Sequence, residues 1–282
     1  MTQPPTYHSQ EQAPVCPRHP ERVAYVRCQR CNHPVCPSCQ LPSPVGVRCV
    51  DCASAAAASR RPTRTVLGGV QASGAKVTVG FIGLCVLVYL LQQVPGLGVT
   101  RWLAFNPALA ATEPWRFLTT ALLHGSPLHL AFNMFALWVV GGQLEEVLGR
   151  WRYLALLLLS AFGGSAMIYL LATPGSQSWV TWTVGASGAV FGLFATLFVV
   201  QRRFGRDTSA VLGLLGLNLV ISFVGANISW QGHLGGLLAG AALASVYAWA
   251  PRERRTQVSV AGTVGLAGLL LAVVVLRAFL AA

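Results

Sequence analysis

The chain has 282 residues, 54% of them hydrophobic and only 10% charged, against roughly 25% charge in an ordinary globular domain. This excludes a typical water-soluble enzyme and predicts an all-α polytopic membrane protein, because hydrocarbon cannot solvate charge. The net charge of +12 would suit nucleic acid, but nine basic residues lie at or before Lys76 and most others sit in short clusters between apolar runs, so the charge reads as a topology signal and nucleic acid is disfavoured.

In chain order, residues 1–15 are polar and Pro-rich and predict a disordered tail. No basic stretch followed by an apolar run argues for a cleaved signal peptide, so the N-terminus is expected in the cytosol. Residues 16–52 hold seven of the eight cysteines, spaced as Cys16 and His19, Cys28 and Cys31, Cys36 and Cys39, Cys49 and Cys52. Four such pairs make eight ligands, enough for two tetrahedral structural Zn²⁺ ions, and a reducing compartment argues against disulfides. His33 lies between two pairs and is expected to be a bystander. The module resembles B-box-type cross-braced fingers, which implies that pairs one and three share one metal and pairs two and four the other; the spacing alone leaves sequential pairing open. A cytosolic protein is the expected partner of this module, with anionic lipid as an alternative for its arginines.

Residues 53–76 are small, basic and Gly-bearing, and predict a flexible linker ending at a membrane surface. Seven apolar stretches follow, at about 77–94, 128–148, 153–173, 185–201, 210–226, 231–249 and 258–280, each near the length of a spanning helix. The basic clusters Arg60, Arg61, Arg64 and Lys76, then Arg150 and Arg152, then Arg202, Arg203 and Arg206, then Arg252, Arg254 and Arg255 all fall on one side of this arrangement. The positive-inside rule then places the N-terminus in the cytosol and the C-terminus outside. The long first outer loop, about 95–127, is rich in Trp, Phe and Leu and predicts short interfacial helices, with Trp102, Trp115 and Arg116 at headgroup depth.

Polar groups inside spans are costly, so each is a candidate functional residue. His129 and Asn133 are four apart and share a helical face. Ser187, within Gly185, Ala186, Ser187 and Gly188, and His233, within Gly232, His233 and Gly236, enter from the same outer side. A nucleophilic serine needs a base, and His233 is the histidine on a later span that can supply one. Gly188 and Gly192 on the fourth span and Gly232, Gly236 and Gly240 on the sixth form small-residue faces that permit close approach. Asn133, His129 and the Ser187 N–H are available as oxyanion donors. With no membrane carboxylate, the expected arrangement is a dyad. His124 is expected to be structural, tying the first loop to the second span.

The set formed by Trp115 and Arg116, by His124, His129 and Asn133, by the Gly185 to Gly188 quartet, and by Gly232, His233, Gly235 and Gly236 resembles the rhomboid intramembrane serine proteases. The resemblance covers about residues 77–250 and implies a six-helix core, to which 251–282 adds a seventh transmembrane helix. It implies Ser187 as nucleophile, His233 as general base, and Asn133 and His129 in the oxyanion hole, with no cofactor required for catalysis. Glu145 fits a structural acidic position of the family. Phe191 stands where many bacterial members have Tyr, so ring stacking on His233 is expected and no role is assigned to a hydroxyl. The implied activity is cleavage of transmembrane segments of membrane proteins near the outer face, in a bacterial cell membrane. The loop 225–230 and the fifth span, with Gly213 and Gly216, are the candidate cap and gate.

Two other readings compete. A catalytically silent rhomboid-like protein could bind or escort membrane partners and be recruited through its zinc module; retention of both Ser187 and His233 argues against it. A transporter is disfavoured because no membrane carboxylate or inverted repeat is visible.

Overall fold

The computed structural model describes residues 13–59, 64–70, 74–224 and 228–281. Most of the expected disordered tail, Arg60 and Arg61, and residues 225–227 of the expected cap loop lie outside the described residues. Contacts divide the chain into two units, Met1–Pro62 and Thr63–Ala282.

The first unit is built from two hairpins. Strand β1 (Val15–Cys16) pairs antiparallel with β2 (His19–Val23), and β3 (Gln40–Ser43) with β4 (Gly46–Cys49). Helix α1 (Val50–Ala58) follows at once, its first turn capped by the Cys49 sulfur, which accepts from the Cys52 N–H. Besides Ala24 and Val35, the buried apolar cluster of this unit consists of cysteines, namely Cys16, Cys28, Cys36, Cys39 and Cys49. So small an aliphatic core cannot hold a fold by burial alone.

The segment read from sequence as a linker is partly structured. Its alanine run continues α1 to Ala58, as the strongest helix former would. In the second unit, Leu67 is 2% exposed, and Gly69 lies so close to the Leu148 carbonyl that a Cβ there would sit 2.0 Å from its oxygen.

The second unit is helical. Its main helices are α2 (Lys76–Gln92), α3 (Pro127–Ala136), α4 (Gly142–Leu148), α5 (Arg150–Leu171), α6 (Ser187–Arg203), α7 (Ser209–Val224), α8 (Trp230–Trp249) and α9 (Arg255–Ala281). A π-helical turn, Leu137–Gly141, joins α3 to α4. Helices therefore occupy all seven apolar stretches of the sequence. Among the described residues, Arg150–Leu171 and Arg252–Ala281 are long and apolar enough to cross a membrane by length and composition, while α2 and α7 are shorter apolar helices. Helix α8 carries Gly and Ala where it meets its neighbours, which lowers its apolarity, and α6 ends in Gln201, Arg202 and Arg203.

Those small residues set the centre of the unit. Helices α6 and α8 meet backbone to backbone: a Cβ on Gly236 would lie 2.0 Å from the Gly188 carbonyl oxygen, and one on Gly240 would lie 2.4 Å from the Gly192 Cα. Helix α5 joins them, since a Cβ on Gly235 would lie 2.3 Å from the Gly163 oxygen. Around this contact the core is filled by Tyr153, Leu156, Leu157, Leu193, Leu243 and Tyr247.

Glu145 on α4 is fully buried and holds the start of α2: its oxygens accept from the Val77 N–H at 3.0 Å, and from the Thr78 N–H and hydroxyl at 2.9 Å. This carboxylate supplies acceptors to helix N–H groups that have no partner within the helix.

The loop between α2 and α3 departs from one expectation. Trp102 and Trp115 are exposed, but Arg116 is 2% exposed rather than surface-facing. Its guanidinium pairs with Glu113 and donates to the Arg101 and Ala104 carbonyls at 2.8 and 2.7 Å. A buried loop carries backbone acceptors that no ladder satisfies, and the five-donor guanidinium satisfies two of them at once.

Candidate active site and metal clusters

The site is framed by the first loop. Phe105 and Thr183 exchange backbone hydrogen bonds at 3.0 and 2.8 Å, the Thr120 hydroxyl donates to the Thr183 carbonyl at 2.6 Å, and the Gly185 N–H donates to the Thr120 carbonyl at 3.0 Å. These bonds hold the turn that leads into α6. Gly185 has φ 135°, a conformation that L side chains rarely adopt. A Cβ there would lie 2.8 Å from His129 Cε1, 3.0 Å from His129 Nε2 and 3.7 Å from Ser187 Oγ. The bare glycine thus lets the His129 ring and the Ser187 hydroxyl flank one small space.

Ser187 is the first residue of α6. Its N–H is one of the helix-start donors left without an intrahelical acceptor, at the positive end of the helix dipole. Four residues on, Phe191 lies on the same face, and its ring stacks on His233 with centroids 4.1 Å apart and planes 14° from parallel. The stacking expected from sequence is present, and it sets the imidazole against the residue one helical turn after Ser187. Among the described residues, Ser187 and His233 are not hydrogen-bonded to each other; such bonds often tighten only when substrate is bound.

His129 and Asn133 both lie on α3, one turn apart. Asn133 is buried and donates one amide N–H to the His129 carbonyl at 2.9 Å, with the other unpartnered among the described residues. The His124 ring is buried edge-on to His129 with centroids 5.2 Å apart. The main chain of His124 is clamped by Gln92, which accepts from its N–H at 3.1 Å and donates to its carbonyl at 3.3 Å. His124 therefore ties α2 to the start of α3.

Sequence reasoning missed Ser222. It is 2% exposed on α7, and its Oγ is 2.5 Å from His233 Nδ1. A lone serine in an apolar helix carries no signal of its own, and only the packing of α7 against α8 brings the two together.

The same reasoning holds for Gly163 and Gly164 on α5. They are small residues within an apolar helix, and only the packing shows α5 to be the third helix of the glycine contact.

In the first unit, the ligand atoms of Cys16, His19, Cys36 and Cys39 form one group and those of Cys28, Cys31, Cys49 and Cys52 another, each within 4.8 Å of one another. Pairs one and three are together, as are pairs two and four, so the arrangement is cross-braced. His33 belongs to neither group. His19 Nδ1 lies 4.0, 3.4 and 3.3 Å from the sulfurs of Cys16, Cys36 and Cys39, and the Cys31 and Cys49 sulfurs are 3.8 Å apart. Ligands around a tetrahedral ion with metal–sulfur bonds of roughly 2.3 Å stand about 3.8 Å apart, so both groups could hold a metal ion. Backbone N–H groups of Arg30 and Cys49 point at Cys28 Sγ at 3.5 and 3.2 Å, as such donors do around metal-bound thiolates.

The thiols are split accordingly. Backbone hydrogen bonds, led by Cys36 for Cys16 and by Cys31 for Cys28, hold these two down at about 6. Loss of solvent, followed by the neighbouring Cys16 and Cys36, pushes Cys39 up to about 11, and contacts with Cys49 and Cys31 push Cys52 up to about 12. Sulfurs packed this closely cannot all become thiolates without a cation among them.

A family model for the rhomboid domain matches residues 111–250. The rhomboid relative YdcA of Bacillus subtilis is 32% identical over 173 residues, covering 58% of this chain and 84% of its own length. The chain belongs to the rhomboid family. The rhomboid protease GluP of Bacillus subtilis is 33% identical over 171 residues, covering 57% of this chain and 32% of that protein. The rhomboid protease GlpG of Pectobacterium atrosepticum is 30% identical over 178 residues, covering 60% of this chain and 61% of that protein. The chain thus spans less than two thirds of the length of these last two relatives. Rhomboid proteins are integral membrane proteins, and the matched region contains Ser187, His233, His129 and Asn133.

Proposed function

We propose that this rhomboid is an intramembrane serine endopeptidase that cleaves transmembrane segments of membrane proteins near the outer membrane face. The observation that carries the reading is the placement of Ser187 at the start of α6, with His233 stacked over the ring one turn below it. His233 takes the Ser187 proton as the hydroxyl attacks the scissile carbonyl, and returns it to the leaving amine. The negative charge that develops on the carbonyl oxygen meets the Ser187 N–H, the free Asn133 amide N–H and the His129 ring. Water then attacks the acyl-enzyme, with His233 again as base. Among the described residues the His233 ring meets Ser222 and Phe191 and no carboxylate orients it, so the pair works as a dyad.

In this reading α2, the α3–α4 segment, α5, α6, α7 and α8 form a six-helix core and α9 is a seventh spanning helix. The N-terminus lies in the cytosol and the C-terminus outside, in a bacterial cell membrane. Helix α7, which carries Gly213 and Gly216, would gate the site. The cross-braced groups bind two structural Zn²⁺ ions, which supply the folding energy that so small a core lacks, and the resulting module is a docking platform for a cytosolic protein. Cross-bracing and the 3.3–4.0 Å ligand spacings support the zinc assignment.

Labelling of the purified chain by a fluorophosphonate tests the protease reading. Wild type is expected to label and to cleave a generic transmembrane substrate, and Ser187→Ala to do neither. Wild-type protein that neither labels at Ser187 nor cleaves would refute it.

A further inference from the structure

We propose that Ser222 is a positioning residue that fixes which nitrogen of His233 carries the proton. The inference rests on the dyad reading, and it follows from counting hydrogens. The Ser222 hydroxyl lies 2.6 Å from the Asn218 carbonyl oxygen, one turn earlier on α7, and 2.5 Å from His233 Nδ1. A hydroxyl has one proton and a carbonyl can only accept. The proton therefore goes to Asn218, and the Ser222 oxygen faces Nδ1 with a lone pair. That contact is favourable only if Nδ1 carries the hydrogen, which in a neutral ring leaves Nε2 as the bare, basic nitrogen.

Three surroundings make this arrangement firm. Ser222 and His233 are 2% and 8% exposed, so water does not compete well for Nδ1. The Phe191 ring fixes the imidazole plane from the α6 side. The bond also comes from α7, a different helix from the one that carries the histidine. Ser222 thus does for the tautomer what the buried aspartate does in a triad, without adding a charge that would be costly inside a membrane. Its oxygen accepts equally from Nδ1–H when the ring is protonated, so the contact survives the full catalytic cycle.

The experiment uses the full-length chain in detergent. Ser222→Ala is expected to lower kcat about tenfold, the value of one buried hydrogen bond, with KM within about twofold, because the contact orients the base and does not touch substrate. Ser222→Thr, which keeps the hydroxyl, is expected to recover most of the rate and to unfold near the wild-type temperature, while Ser222→Ala should unfold a few degrees lower for the lost buried bond yet stay folded at the assay temperature. Independently of turnover, the ¹⁵N spectrum of histidine-labelled protein, with His233→Asn to assign the signals, should show the Nδ1–H tautomer at His233 in wild type and a mixture in Ser222→Ala. Wild-type kcat in Ser222→Ala, failure of Ser222→Thr to recover the rate, or an Nε2–H tautomer in wild type would overturn the proposal. If instead wild type shows no Ser187-dependent activity, the dyad reading fails, and the spectrum still decides the tautomer.

Discussion

Replacing Gly236 by Ala tests whether backbone contact between α6 and α8 sets the active-site geometry. The added Cβ would lie 2.0 Å from the Gly188 carbonyl oxygen, 2.6 Å from its carbon and 2.8 Å from its Cα. These are main-chain atoms that no side-chain rotation can move aside, and the shortfall from van der Waals contact is roughly 1.5 Å. The two helices must part by about that distance at this level. Gly188 follows Ser187 directly and Gly236 lies within a turn of His233, so the separation falls on the proposed dyad. Overpacking of this kind costs about 1–3 kcal/mol of stability, and a displacement of about 1 Å between reacting groups costs on the order of a hundredfold in rate. Gly236→Ala is therefore expected to label with fluorophosphonate about a hundredfold more slowly and to unfold at a lower temperature. Gly268→Ala on α9, whose Cβ would meet nothing within 4 Å, is the control expected to match wild type. A Gly236→Ala protein with wild-type labelling and stability would refute the claim that this contact sets the site.

Phe191→Leu removes the stacked ring under His233 and is expected to slow labelling by up to about tenfold, in line with the ~0.5–1.5 kcal/mol of an aromatic pair; Phe191→Tyr should stay near wild type, and parity between Leu and Tyr would deny the stacking a role. Glu145→Gln turns one of two acceptor oxygens toward N–H donors as an NH₂, and is expected to cost about 1–3 kcal/mol, read as a lowered unfolding temperature; an unchanged temperature would mean the α2 cap carries no stability. Metal analysis should give two zinc ions per chain, with Cys36→Ser and Cys49→Ser each weakening a different site. Chelation should unfold the N-terminal unit, visible as new protease sensitivity within 16–52, and a resistant, metal-free module would exclude a structural metal.

Much of the helical layout was readable because apolar runs, turns and charge clusters are local properties. The candidate residues were readable for the opposite reason: in helices that tolerate few polar groups, His129, Asn133, Ser187 and His233 stand out by their presence. What escaped depended on partners far away in sequence. Arg116 looks like an interfacial anchor from its neighbours alone, yet the carbonyls of Arg101 and Ala104 draw it inward. Ser222 is an ordinary helical serine until α7 packs against α8.

The sequence by itself determined the class of molecule and the positions of its helices, and it singled out the residues proposed here as nucleophile and base, since composition, periodicity and the rarity of intramembrane polar groups need no partner to be read. Tertiary structure alone decided which cysteine pairs share a cluster, that α5 completes the glycine contact of α6 and α8, and that Ser222 faces the Nδ1 of His233. Each of these is a choice among contacts that the local chain permits equally, and it is settled by which backbones can approach closely enough to touch.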